Sequence, residues 1–161
     1  MHLLQMIATP KKLHPILGKK PWKVWKGFGS FLLFEFGARH KDPKGNVYGS
    51  YSLWIYMSDW RIRRGGDELA HSGSSDARIE RAAAALTGQK LVAVTLDTVV
   101  VPKRVRYGAR LFFESGHRLD VYMYEQAKRD SIFMLYTPRT VISYDNDGTL
   151  RSEKLTYRRA F

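Results

Sequence analysis

Hydrophobic and polar positions alternate with a period of two along most of this chain, and that period predicts strands. Over residues 31–36, Phe31, Leu33 and Glu35 alternate with Leu32, Phe34 and Phe36. Both faces are therefore apolar except at one carboxylate, as expected of a central strand. A turn of Asp42-Pro43-Lys44-Gly45-Asn46 follows. Residues 47–62 then read as one long strand. Tyr51, Leu53, Ile55 and Met57 share one side, and Ser50, Ser52, Trp54, Tyr56, Ser58 and Trp60 the other, a pattern that suits an edge or half-exposed strand. Further strand-like runs cover residues 91–101, 110–115, 119–124, 131–137, 141–144 and 150–157, the last two joined by the hairpin turn Asp145-Asn146-Asp147-Gly148. Residues 64–75, rich in Gly and Ser, read as a loop. One segment changes period: Ile79, Ala82, Ala83 and Leu86 recur at i, i+3, i+4 and i+7, with Ser75 or Asp76 as cap and Gly88 as stop. This predicts a helix at about 75–87. Eight or nine strands and one helix give an α+β fold of mostly antiparallel sheet, barrel-like or sandwich.

A short motif occurs twice within this pattern. Gly29-Ser30-Phe31-Leu32-Leu33-Phe34-Glu35-Phe36-Gly37 aligns without gaps with Gly108-Ala109-Arg110-Leu111-Phe112-Phe113-Glu114-Ser115-Gly116, five of the nine positions being identical. Each copy precedes a second apolar run, Leu53-Trp54-Ile55-Tyr56-Met57 and Phe133-Met134-Leu135-Tyr136-Thr137. The expectation is an internal duplication around 29–57 and 108–137, two related β-meander halves over one core, with Leu32 and Leu111 in equivalent buried positions.

Length bounds the rest. A chain of 161 residues suits one domain. Residues 1–21 read as a basic N-terminal arm, interrupted by Pro10, Pro15 and Pro21 and dispensable for stability, and residues 22–161 as the single β-rich domain. The chain has no cysteine, which excludes disulfides, thiolate catalysis and Cys-based zinc sites and fits a cytoplasmic location. No apolar run reaches the ~20 residues of a membrane-spanning helix.

Charge narrows the partner. The formal net charge is +12, from 27 Lys and Arg against 15 Asp and Glu. Such an excess favours an acidic protein or a nucleic acid, held by electrostatics. Cations interleave with aromatic residues in two places: Lys19, Lys20, Trp22, Lys23, Trp25 and Lys26, and Trp60, Arg61, Arg63 and Arg64. Aromatic platforms beside cations are what single-stranded nucleic acids require. A solubilising surface, with the Trp rings in the core, produces the same composition.

Catalytic signals are sparse. His71 lies near Asp67, Glu68 and Ser72 just before the predicted helix, where an imidazole and a carboxylate could act as a base, though such residues also cap loops. Glu35 and Glu114, the duplicated carboxylates, could converge in a cavity or simply face water. No metal-ligand spacing, phosphate loop or dinucleotide fingerprint is present, and no cofactor is indicated.

Residues 25–37, 51–62, Ala70-His71-Ser72, Leu86-Thr87-Gly88-Gln89-Lys90-Leu91, the 131–138 strand and the Asp147-Gly148 turn together resemble a group of small uncharacterised bacterial proteins. Some neighbours of that group are regarded as immunity proteins of toxin–immunity systems. The resemblance covers about residues 22–150 and rests on strand ends and turns, so it carries over no functional residue. It implies a non-enzymatic binding protein that recognises an acidic protein partner. Nuclease inhibitors are usually acidic, so a chain this basic implies a different target. The alternatives are a nucleic-acid-associated basic protein, and a small-molecule-binding barrel or enzyme with a cavity carboxylate.

Overall fold

A computed structural model describes residues 9–56, 58–101, 104–124 and 130–155 of the chain. Expectations that fall on Met57 and on residues 156–157 lie outside them. A 3-10 turn (Lys11–Ile16) comes first, then β1 (Lys23–Lys26), β2 (Leu32–Lys41), β3 (Val47–Ile55), β4 (Ser58–Arg64) and β5 (Asp67–His71). Helix α1 (Asp76–Leu86) is followed by β6 (Leu91–Val101), β7 (Arg104–Phe113), β8 (His117–Met123), β9 (Ser131–Tyr136), β10 (Thr140–Asp145) and β11 (Leu150–Lys154). All ladders are antiparallel. They form a six-stranded sheet, β1-β2-β3-β9-β10-β11, and a five-stranded sheet, β5-β4-β8-β7-β6. The sheets do not close into a barrel, so the α+β expectation holds in its sandwich form.

The core is the space between the sheets. Leu32, Phe34, Phe36, Leu53, Ile55, Phe133 and Leu135 face inward from the first sheet, and Trp60, Ile62, Leu111, Phe113, Leu119 and Val121 from the second. The two motif copies meet here. Leu32 and Leu111 are both buried, and the rings of Phe34 and Phe113 stack across the layers with centroids 6.2 Å apart. Beyond this Leu-x-Phe pair the copies diverge. β2 and β3 are neighbours in one sheet, whereas β7 lies in the other sheet from β9. The two trailing runs pair with each other, Leu53 opposite Leu135.

Residues 47–62 are not one strand. The chain passes from the first sheet to the second between Ile55 and Ser58, and the inward phase slips there by one residue. Tyr51, Leu53 and Ile55 point inward before the crossing, Ser58, Trp60 and Ile62 after it. Neither piece is an edge, since β3 lies between β2 and β9, and β4 between β5 and β8. The Gly- and Ser-rich stretch contains a strand, β5, with one fully buried residue, Ala70.

Helix α1 matches its pattern. Ser75 Oγ accepts from the Arg78 amide at 3.3 Å, and Ile79, Ala82, Ala83 and Leu86 are buried. It packs against β1 and β5, the outer strands of the two sheets, and so covers one open side of the sandwich. Residues 9–21 cover the other side rather than extending as an arm. The 3-10 turn drives Leu13 and Ile16 into the core, each 1% exposed. Thr9 Oγ1 accepts from the Val94 amide at 3.0 Å, and Gly18 and Lys19 exchange backbone hydrogen bonds with Leu91. Residues 1–8 of the expected arm lie outside the described residues.

Candidate functional site

Strand periodicity sets the chemistry of the second sheet. With Trp60, Ile62, Leu119, Val121, Ala109 and Leu111 turned inward, the intervening residues of β4, β8 and β7 must point out. Those residues are Asp59, Arg61 and Arg63, then Arg118, Asp120 and Tyr122, then Arg106 and Arg110. Among the described residues this sheet face thus carries five arginines.

Acidic residues hold four of them, Arg61, Arg63, Arg110 and Arg118, in place. Asp120 is only 3% exposed and is shared by two guanidiniums, with Arg118 Nε at 2.7 Å and Arg63 Nε at 3.3 Å. A carboxylate this deep would be costly without such partners. Arg61 Nη1 lies 3.4 Å from Glu68, and Arg110 Nε lies 3.0 Å from Asp97. Burial raises the Asp97 pKa although Arg110 pulls it down. For Arg110 itself burial disfavours the charge, but Asp97, Tyr122 and Asp120 together outweigh it and raise the pKa.

Between β5, β4 and β8 this face sinks into a pocket of about 460 Å³, lined by Asp59, Arg61, Arg63, His71, Arg106 and Tyr122 among others. Gly108 shapes its floor. It stands opposite Tyr122, and a Cβ there would lie 2.4 Å from the Val121 carbonyl and 3.0 Å from the Tyr122 ring. Arg106 lies over the same ring at 5.8 Å and donates from Nη2 to the Met123 carbonyl at 3.0 Å. His71 Nδ1 accepts from the Gly73 amide at 3.0 Å, which leaves Nε2 to carry the proton of the neutral ring. Ser72 Oγ donates to Asp59 Oδ1 at 3.3 Å, so Ser72 and His71 form no nucleophile–base pair.

The predicted site residues divide accordingly. Arg61, Arg63 and His71 come together in the pocket, with Arg64 exposed at the end of β4. Trp60 does not join them as a platform. Its side chain is fully buried, and Nε1 donates to the Ser30 carbonyl at 2.6 Å. The slip in phase at the crossing between sheets is the physical reason.

The Lys19–Lys26 group lies elsewhere. Val24 points into the core, so Lys23 and Trp25 project from the outer face of the first sheet, away from Arg61 and Arg63. Its cations are engaged locally: Lys19 lies 5.4 Å over Tyr51, Lys23 lies 4.6 Å over Trp25, and Lys26 Nζ is 2.6 Å from Asp76. Trp22 donates from Nε1 to the Gly37 carbonyl at 3.1 Å and has Arg39 over its ring, while Lys20 is exposed.

Glu35 and Glu114 do not converge. Glu35 is buried on the side of β2 that faces away from the core, where Oε2 accepts from the Gly49 amide at 2.7 Å and from Ser52 Oγ. Glu114 sits in a turn beside Lys90. Among the described residues, the interior gap lined by Leu13, Ile16, Leu53, Val94, Leu111 and Phe133 is too narrow to admit a water molecule, and no carboxylate lines it. Among the described residues no His, Asp or Glu cluster is arranged to hold a metal ion, and no helix is long and apolar enough to cross a membrane.

Arg106, Arg110, Arg118 and Asp120 were not among the site residues expected from the sequence. The signal was present in Arg118-Leu119-Asp120-Val121-Tyr122, a polar–apolar alternation that assigns the charges to one face. Comparison of the chain with protein-family models, curated proteins and solved structures finds no match.

Proposed function

We propose that this is a non-enzymatic binding protein that recognises an acidic protein partner through the outer face of the second sheet. The observation that supports it is the pocket into which Arg61, Arg63 and Arg106 open together. Guanidinium forks held by neighbouring carboxylates are preorganised to meet acidic groups, so little side-chain freedom is lost on binding. An immunity-like role, with an acidic toxin as the partner, is one setting for such a surface.

A nucleic-acid partner is the second reading and draws on the same charge. It is favoured less because Trp60 is buried and because the two basic groups project from opposite faces of the sandwich, so one strand of nucleic acid would have to turn round an edge to reach both. Fluorescence anisotropy with a labelled oligo-glutamate peptide and a single-stranded oligonucleotide of matched charge separates the readings. The peptide should bind more tightly at low salt and be released as salt rises. Tighter oligonucleotide binding with a steeper salt dependence would favour the nucleic-acid reading. Binding to neither would reduce the surface to a solubilising one.

A further inference from the structure

We propose that the pocket between Arg61, Arg63, Arg106 and His71 is a phosphate-monoester site, filled by a phosphorylated side chain of the acidic partner; this rests on the acidic-partner reading above. The donors reach it from three strands: Arg61 and Arg63 from β4, His71 from β5 and Arg106 from β7. Tyr122 of β8, lying between β4 and β7, forms the floor.

This geometry distinguishes between acidic groups. A carboxylate offers two oxygens in one plane and a single charge, whereas a phosphate monoester offers three oxygens in a tetrahedral array and nearly two charges, so it accepts from donors on several sides at once. Arg61 and Arg63 each direct one nitrogen at their own carboxylate, Glu68 and Asp120, and have the rest of the fork for a ligand. His71 adds the Nε2 proton, because Nδ1 is already engaged by the Gly73 amide. Among the described residues lining the pocket Asp59 is the one acid, and its Oδ1 is turned to Ser72 Oγ.

Size points the same way. A volume of about 460 Å³ is far more than a phosphate group fills, so there is room for the side chain that carries it. Such a chain would lie along the Tyr122 ring.

The test uses the full-length protein and three Glu-rich peptides that differ at one central position: serine, phosphoserine or aspartate. The phosphoserine peptide should bind about tenfold or more tightly than either of the others, the added charge-assisted hydrogen bonds being the source. Inorganic phosphate should abolish the increment. Arg61, with a side chain 55% exposed, can be changed without disturbing the core. Arg61→Ala should remove the increment, and Arg61→Lys, which keeps the charge without the fork, should restore only part of it, with thermal stability unchanged in both. Equal affinity for the three peptides, or an increment that survives Arg61→Ala, overturns the phosphate site while leaving the acidic-partner reading intact. Absence of binding by all three overturns both.

Discussion

Across the β4–β8 ladder Arg64 stands opposite His117, which is buried and hydrogen-bonded to Ser115 Oγ through Nδ1 at 2.5 Å. Burial first, and then the Arg64 charge, lower the His117 pKa below its ordinary 6.5. The unfolded chain therefore binds this proton at a higher pH than the folded one. The stabilisation is present in full above 6.5 and is lost as pH falls from 6.5 through the lowered value. Asp97, raised by burial, acts with the opposite sign from 3.8 upward, so the comparison must be between variants rather than across one pH profile. Denaturant melts of the parent and of His117→Asn should show a stability difference that shrinks as the pH is lowered from neutral toward five. A difference independent of pH would mean that His117 does not contribute by titrating. At this scale the sequence disclosed residue types but not their surroundings. His71 follows Ala70 and His117 follows Gly116, small residues in both cases, yet one lines an open pocket and the other is enclosed. Only the pairing of β4 with β8, which no local pattern specifies, decides that.

Elements whose signal is internal to one segment were legible. Helix α1 shows its cap, its stripe and its stop in consecutive residues, and the structure has each where the pattern puts it. Leu86 is fully buried, so Leu86→Ala should cost ~2–5 kcal/mol in a denaturant titration, by lost transfer energy and the cavity left behind. A loss below ~0.5 kcal/mol would place the helix on the surface. Elements defined by a partner were not legible. β5 has little apolar content of its own and exists because β4 pairs with it, while Arg78 of the helix donates to the Glu68 and Leu69 carbonyls along its outer edge. The crossing from β3 to β4 is the costliest case. With no Gly or Pro to mark the break, the alternation reads as continuous, and a slip of one residue sends every later side chain to the opposite face. After the slip Trp60 enters the core, while Arg61 and Arg63 take the outer face.

At the scale of the molecule, two stacked sheets leave open sides between their outer strands, and backbone or apolar groups there must be covered. The helix covers the side at β1 and β5, and residues 9–21 cover the side at β6, with Lys12 Nζ also 3.3 Å from the Leu150 carbonyl of β11. Charge density hid this second role. Lysines and prolines in residues 10–21 suggest an arm, but a 3-10 turn needs only Leu13 and Ile16, three apart, to present an apolar edge, and proline is tolerated within it. Removal of residues 1–17 should therefore destabilise the protein severely. Truncating each of two fully buried aliphatic side chains costs ~2–5 kcal/mol, and a domain of this kind has about 5–15 kcal/mol in all. The deletion should abolish the cooperative thermal transition or shift it far downward. The double variant Lys11→Glu/Lys12→Glu, which reverses charge at exposed positions, should melt close to the parent temperature. Measured together, the two variants separate packing from electrostatics. If the charge reversal unfolds the protein and the deletion does not, the segment acts through its lysines. Should only the deletion unfold it, residues 9–17 are the second cover of the sandwich, and the basic surface available to a partner is that of the folded sheets.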